Sequence, residues 1–153
     1  MAEGREDWGL AEGDEIVSGR HVLERLGGGR RYEAYLAWDE GLYSLVVVKV
    51  LRPGQVDDRR ALDAIAAEAA VLEGINHPVI VRGFGLFLDG PRPHLVLEHI
   101  EGPRLSTLLR KYSALPPEQW LPLALQICSA LHYLRIKGVV HLDVKPSNII
   151  MGA

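Results

Sequence analysis

Chemistry is most concentrated in one stretch near the end of the chain, His141-Leu142-Asp143-Val144-Lys145-Pro146-Ser147-Asn148. Asp143 can accept a proton from a hydroxyl nucleophile, and the amide oxygen of Asn148 can ligate a divalent cation. Lys145 is a mobile point charge suited to a phosphate group. Val139 and Val140 lead into this polar run, and Ile149, Ile150 and Met151 lead out of it. The pattern predicts a short loop pinned at both ends by buried residues.

A second candidate centre lies upstream. Gly27-Gly28-Gly29 separates a strand over His21–Leu26 from a second over Tyr32–Asp39, which closes in a turn at Asp39-Glu40-Gly41. In that second strand Tyr32, Ala34, Leu36 and Trp38 alternate with Arg31, Glu33, Ala37 and Asp39. A hairpin tip without side chains lets backbone amides approach a phosphate closely, although a triple glycine is equally a plain flexible turn. A third strand, Leu45–Leu51, is apolar apart from Lys49. A cation there is costly unless paired or liganded, so Lys49 either faces water on an edge strand or has an acidic partner.

The helix after the Pro53–Arg60 loop supplies a partner. Over Ala61–Ile75, Leu62, Ile65, Ala69, Leu72 and Ile75 form one apolar face. Glu68 stands beside that face and can point inward; Glu73 is its rival, and a solvated helix charge is the plain alternative. Strands over Val79–Leu88 and His94–Glu98 follow, then a break at His99–Pro103, a short helix over Leu105–Lys111 and a long one over Pro117–Lys137. The long helix carries an apolar stripe of Trp120, Leu123, Ala124, Ile127, Leu131 and Leu134, with Cys128 beside it as a small core residue.

Composition bounds these readings. The 153 residues carry a net charge of −3, with 48% hydrophobic and 24% charged residues, which describes an ordinary globular domain. Nothing in that balance calls for nucleic acid or an anionic membrane surface. One cysteine, no zinc spacing among the histidines, an acidic N-terminus unlike a secretory signal and no membrane-length apolar run predict a soluble cytoplasmic protein. Residues 1–18, acidic and without period, predict a loosely ordered leader on which Ile16 and Val17 alone could dock.

Jointly, the glycine hairpin, Lys49, Glu68 and the His141–Asn148 loop resemble the eukaryotic-type serine/threonine protein kinases in order and spacing. The Lys145-Pro146-Ser147-Asn148 ending is similar to the serine/threonine branch. The resemblance runs from about His21 to the chain end and implies an α+β fold. A five-stranded antiparallel sheet with one helix would form the small lobe, residues 19–98. Residues 99–153 would form the hinge and the first helices of an incomplete, mainly helical large lobe.

It further implies ATP and Mg²⁺ as ligands and a protein serine or threonine as phosphoryl acceptor. Asp143 would orient and deprotonate the hydroxyl, Lys145 would stabilise the γ-phosphate, and Asn148 would hold a Mg²⁺. Lys49, fixed by Glu68, would hold the α- and β-phosphates beneath Gly27, Gly28 and Gly29. Leu26, Ala34, Val47 and Ile150 would sandwich adenine, with Leu97 as gatekeeper and the Glu98 carbonyl and Ile100 amide on its edge. Taken singly, each of these apolar residues is explained by core packing.

Four departures from the family pattern stand out: Tyr32 in place of the third glycine, Val47 in place of alanine, Leu142 in place of the arginine before the catalytic aspartate, and an end at Ala153 before any Asp-Phe-Gly motif. The last predicts a truncated, inactive chain that self-associates through the uncovered stripe of residues 117–137. Two other readings remain open at this stage: a non-catalytic, kinase-like nucleotide- or partner-binding module, and a small-molecule phosphotransferase of the aminoglycoside type.

Overall fold

A computed structural model describes residues 6–152. The chain divides into two compact units, one comprising Met1–Glu73 with Arg82–His99, the other Gly74–Val81 with Ile100–Ala153.

The first unit is a six-stranded antiparallel sheet with one helix. Its strands are β1 (Glu15–Val17), β2 (Arg20–Gly28), β3 (Tyr32–Asp39), β4 (Ser44–Leu51), β5 (Gly83–Phe87) and β6 (His94–Glu98), in the spatial order β1-β2-β3-β4-β6-β5. The α+β kinase-like class expected from the sequence holds. The sixth strand, β1, comes from the segment expected to be a loose leader. Residues 6–18 are instead built into the unit: Ile16 is wholly buried, and Trp8 and Leu10 pack on the cluster of Val22, Tyr35, Ala37, Val46, Val48, Val50 and Val96. The Trp8 indole N–H donates to the Leu51 carbonyl at 2.8 Å.

That cover reverses the expected facing of β3. Its sealed residues are Glu33, Tyr35, Ala37 and Asp39, while Tyr32, Ala34, Leu36 and Trp38 are half-buried. The acids tolerate this because they are paired, Glu33 with Arg52 at 3.2 Å and Asp39 with Arg20 at 2.6 Å. The opposite sheet face takes α1 (Arg59–Glu73), whose Ala61, Ile65 and Ala69 pack on Leu51 and Leu95. Helix α1 starts two residues before the expected Ala61. The Asp58 carboxylate accepts from the Arg60 and Ala61 amides at 2.8 and 3.3 Å, an N-cap that satisfies otherwise orphaned donors.

The second unit holds α2 (Leu105–Tyr112) and α3 (Pro117–Ile136). It also claims Gly74–Val81, so the strand expected from Val79 begins only at Gly83. Local bonds explain the difference. The Asn76 amide donates to Tyr133 Oη of α3 at 3.0 Å, and His77 Nε2 meets Ser129 Oγ at 3.2 Å. Along α3 only Leu134 of the expected stripe is fully buried; Leu123, Ala124 and Ile127 are half-buried, and Trp120 and Leu131 are exposed. Cys128, expected in the core, is exposed. No helix among the described residues is long and apolar enough to cross a membrane.

One buried histidine gives the first unit a pH dependence. His94 donates Nδ1–H to the Arg92 carbonyl at 2.7 Å and accepts at Nε2 from Arg20 at 3.0 Å, so its ring is held neutral. Burial, aided by the Arg20 charge and opposed by the Arg92 bond, lowers its pKa below the ordinary histidine value. The unfolded chain then binds the proton more readily than the folded one, so this contribution is intact above about pH 6.5 and is lost as pH falls through the lower folded value. The melting temperature should drop more steeply below about pH 6.5 in the parent chain than in His94→Gln. Parallel pH profiles from calorimetry would contradict this.

Candidate functional site

In the first unit the site residues gather on the α1 side of the sheet. Register places Ala34 opposite Lys49 and Lys49 opposite Leu95, and in the next row Leu36 opposite Val47 and Val47 opposite Leu97. Paired positions of an antiparallel ladder share a face, so Ala34, Val47, Lys49 and Leu97 point the same way. The immediate neighbours of Lys49 in β4, Val48 and Val50, are fully buried on the other face. Lys49 Nζ lies 2.6 Å from Glu68 Oε2, and Glu68, rather than Glu73, is its partner.

Above this pair lies the glycine hairpin. Gly27 and Gly28 adopt φ of +126° and +159°, and a Cβ on Gly28 would fall 2.5 Å from the Tyr32 carbonyl oxygen. Glycine is required there by both backbone conformation and space. Tyr32 does not project freely from the loop. Its ring packs against Gly29 and stands 4.1 Å from Lys49 Nζ, a cation–π contact worth about 1 kcal/mol.

Arg30, Arg31, Tyr32, Lys49, Leu51, Ala61, Ala64, Ile65 and Glu68 line a pocket of about 400 Å³. Three cations at its rim favour a polyanion. Sequence reasoning passed over Arg30 and Arg31, although two adjacent arginines at a glycine-rich tip were a readable sign. Leu26 is half-buried at the end of β2. The Glu98 side chain is held by Arg82, through the guanidinium at 2.9 Å and the amide at 3.1 Å. The Arg82 side-chain bond holds the Glu98 carboxyl below its usual pKa range, against a smaller effect of burial.

The second unit carries Ile100, Ile150 and the polar loop. Backbone pairing pins that loop near its end: Arg104 bridges Ile150, the Leu105 amide donates to the Ile149 carbonyl at 2.8 Å, and the Met151 amide donates to the Pro103 carbonyl at 2.9 Å. Inside the loop the three chemical groups meet. Lys145 Nζ lies 3.0 Å from Asp143 Oδ1, and Asn148 Nδ2 donates to Asp143 Oδ2 at 3.0 Å and to its carbonyl at 2.9 Å. Hydrogen bonds from Lys145 and then Asn148 lower the Asp143 pKa, so the carboxylate is ionised at neutral pH.

The amide of Asn148 thereby turns its NH₂ to Asp143 and leaves the oxygen free to ligate a cation. Among the described residues no group of three or more His, Cys, Asp or Glu could hold a metal ion by itself. Such a donor set suits Mg²⁺, which is held by one or two protein oxygens together with phosphate oxygens, better than a metal caged by protein alone. Leu142, in the arginine position, is 90% exposed with φ of +63°. A left-handed leucine stores roughly 1–2 kcal/mol of backbone strain in this loop.

A strand-borne lysine paired to a helix glutamate under a glycine hairpin, with an Asp–Lys–Asn loop in the second unit, defines a phosphoryl-handling protein of the kinase type. The model of the protein kinase domain matches residues 20–152, and the chain belongs to the protein kinase family. It is 34% identical over 142 residues to serine/threonine-protein kinase PknB of Mycobacterium leprae, covering 90% of this chain and 23% of that protein. It is 32% identical over 127 residues to an Aurora kinase of Dictyostelium discoideum, covering 83% of this chain and 33% of that one. A crystal structure of Rad53 1-466 in complex with AMP-PNP superposes with a TM-score of 0.74 at 26% identity, over 88% of this chain and 35% of that one. The chain thus spans about a quarter to a third of the length of these relatives.

The Asp143 cluster makes a direct prediction. In a carboxyl NMR titration Asp143 should titrate below ordinary aspartate, and Lys145→Ala should move it upward toward the ordinary value; an unmoved midpoint would show that the contact is not held in solution.

Proposed function

We propose that this chain carries the ATP-handling and hydroxyl-activating residues of a serine/threonine protein kinase, a phosphoryl transferase acting from ATP to a serine or threonine hydroxyl of a protein. The observation that carries the reading is the 2.6 Å Lys49–Glu68 pair beneath the glycine hairpin. It supplies a fixed cation where a nucleotide would present its α- and β-phosphates, while the amides of Gly27–Gly29 can approach the same oxygens. Leu26, Ala34, Val47, Leu97 and Ile150 are the apolar surfaces offered to adenine, with the Glu98 carbonyl and the Ile100 N–H as its edge partners. The half-buried state of Ala34, Val47 and Leu97 supports this: they are packed, yet not sealed.

In the second unit Asp143, kept ionised by its neighbours, accepts the hydroxyl proton as the oxygen attacks the γ-phosphorus. Lys145 lies close enough to place its charge on the transferred group, and the Asn148 oxygen would help to hold Mg²⁺, which neutralises phosphate charge when bound. The exposed Leu142 replaces an arginine that, in the family, reads a phosphorylated activation segment; activity here should not depend on that switch.

Calorimetric titration of Mg-ATP into the chain should show saturable binding that weakens at least about tenfold in Lys49→Ala, the order of loss expected for one charge-assisted contact. No saturable heat from the parent chain would overturn the reading. We also propose that the exposed apolar residues of α3, among them Leu121, Leu125 and Ile136, drive self-association. Sedimentation at micromolar concentration should give a mass above the monomer, returned to monomer by Leu121→Lys with Leu125→Lys. A monomeric parent would rule this out.

A further inference from the structure

Glu33 is a carboxylate with no exposed surface, and it is not among the groups given a chemical role above. It accepts from the Tyr35 hydroxyl, from the Trp8 amide at 3.2 Å and from Arg52 Nη1 at 3.2 Å. Arg52, also buried, reaches in two further directions. Its Nε donates to the Gly29 carbonyl at 3.0 Å, and its own amide donates to the Arg31 carbonyl at 2.9 Å. Nη1 also lies 3.4 Å from the Glu6 carbonyl. One guanidinium therefore joins the buried acid, the N-terminal segment and the tip of the glycine hairpin.

The N-terminal segment is fastened independently. Asp7 pairs with Arg25 at 3.2 Å, on the strand that runs into the glycines. The Trp8 indole donates to the carbonyl of Leu51, the residue before Arg52, and Arg92 lies 4.8 Å over that indole while donating to the Ile16 carbonyl at 2.8 Å. The glycine tip has few anchors of its own beyond the Gly29 amide bond to Tyr32 at 3.0 Å. A loop without side chains takes its position from whatever holds its carbonyls.

We propose that Arg52 is a positioning residue for the phosphate-facing glycine hairpin, and that the segment around Trp8 sets its position through the buried Glu33–Arg52 pair. Seating of that segment fixes the guanidinium, and the guanidinium fixes Gly29 and Arg31. Release of the segment leaves a buried pair short of a partner and the hairpin tip loose. The consequence for nucleotide binding rests on the reading proposed above; the mechanical coupling does not.

Amide hydrogen exchange by NMR on the full 153-residue chain tests this with Arg52→Gln, Arg52→Lys and Trp8→Phe. Exchange at residues 28–32 should rise on the order of tenfold in Arg52→Gln and measurably in Trp8→Phe, which does not touch the loop, with Ile65, Ala69 and Val96 unchanged. Arg52→Lys, which keeps the charge but cannot span Glu33 and Gly29 together, should fall between. Equal acceleration at Ile65, Ala69 and Val96, or an unmoved loop, would reduce the pair to a core-stabilising contact and overturn the proposal. Should Arg52→Gln fail to fold, Trp8→Phe alone decides. Mg-ATP titration of the same proteins should show weaker binding in Arg52→Gln; if the parent binds no nucleotide, the functional reading falls while loop exchange still decides the coupling.

Discussion

An ammonium group in a strand whose flanking residues are fully buried is the constraint around which the first unit is arranged. Lys49 can occupy that place only with a counter-charge at hydrogen-bond distance, and Glu68 supplies it at 2.6 Å. That requirement fixes the rotation of α1, since Glu68 must face β4 while Ala61, Ile65 and Ala69 pack against Leu51 and Leu95. One residue of slip in the helix would turn Glu68 through about 100° and break both arrangements. The Asp58 cap, the apolar stripe and the ion pair therefore select the same register, which is how a weak local preference becomes a unique placement.

The two faces of the sheet are finished differently. One is closed by Ile16, Trp8 and Leu10 and buries charge in pairs, Glu33 with Arg52 and Asp39 with Arg20. Pairs of this kind contribute little net stability when made, yet removing one partner costs about 3–5 kcal/mol. The other face remains partly open at Ala34, Val47, Lys49 and Leu97, where apolar surface and a single cation lie side by side. A closed, rigid face behind an open one is a suitable support for a ligand that is both aromatic and anionic.

The second unit solves a different problem. Its Asp143–Lys145–Asn148 cluster lies within six residues, is exposed, and is shaped by bonds inside the loop and by the Arg104–Ile150 bridge. Little desolvation acts on it, so the carboxylate stays ionised and its reactivity is set by local hydrogen bonds rather than by burial.

The sequence determined whatever depends on near neighbours: the offsets of Asp143, Lys145 and Asn148, the glycines of the hairpin, the span of β6, the apolar face of α1 and the need of Lys49 for an acid. Hydrogen-bonding offsets and periods of two or 3.6 residues are local properties, legible without a fold. Tertiary structure alone decided which face of β3 is sealed, because the cover is Trp8 and its neighbours, 25 residues from Glu33 and 43 from Leu51. It also decided that Val79–Val81 leave the sheet, that Tyr32 rests on Lys49, and that Arg52 reaches Gly29, 23 residues away. Contacts at such separations have no period in the chain. They are chosen by which buried polar groups must find partners once the sheet has closed.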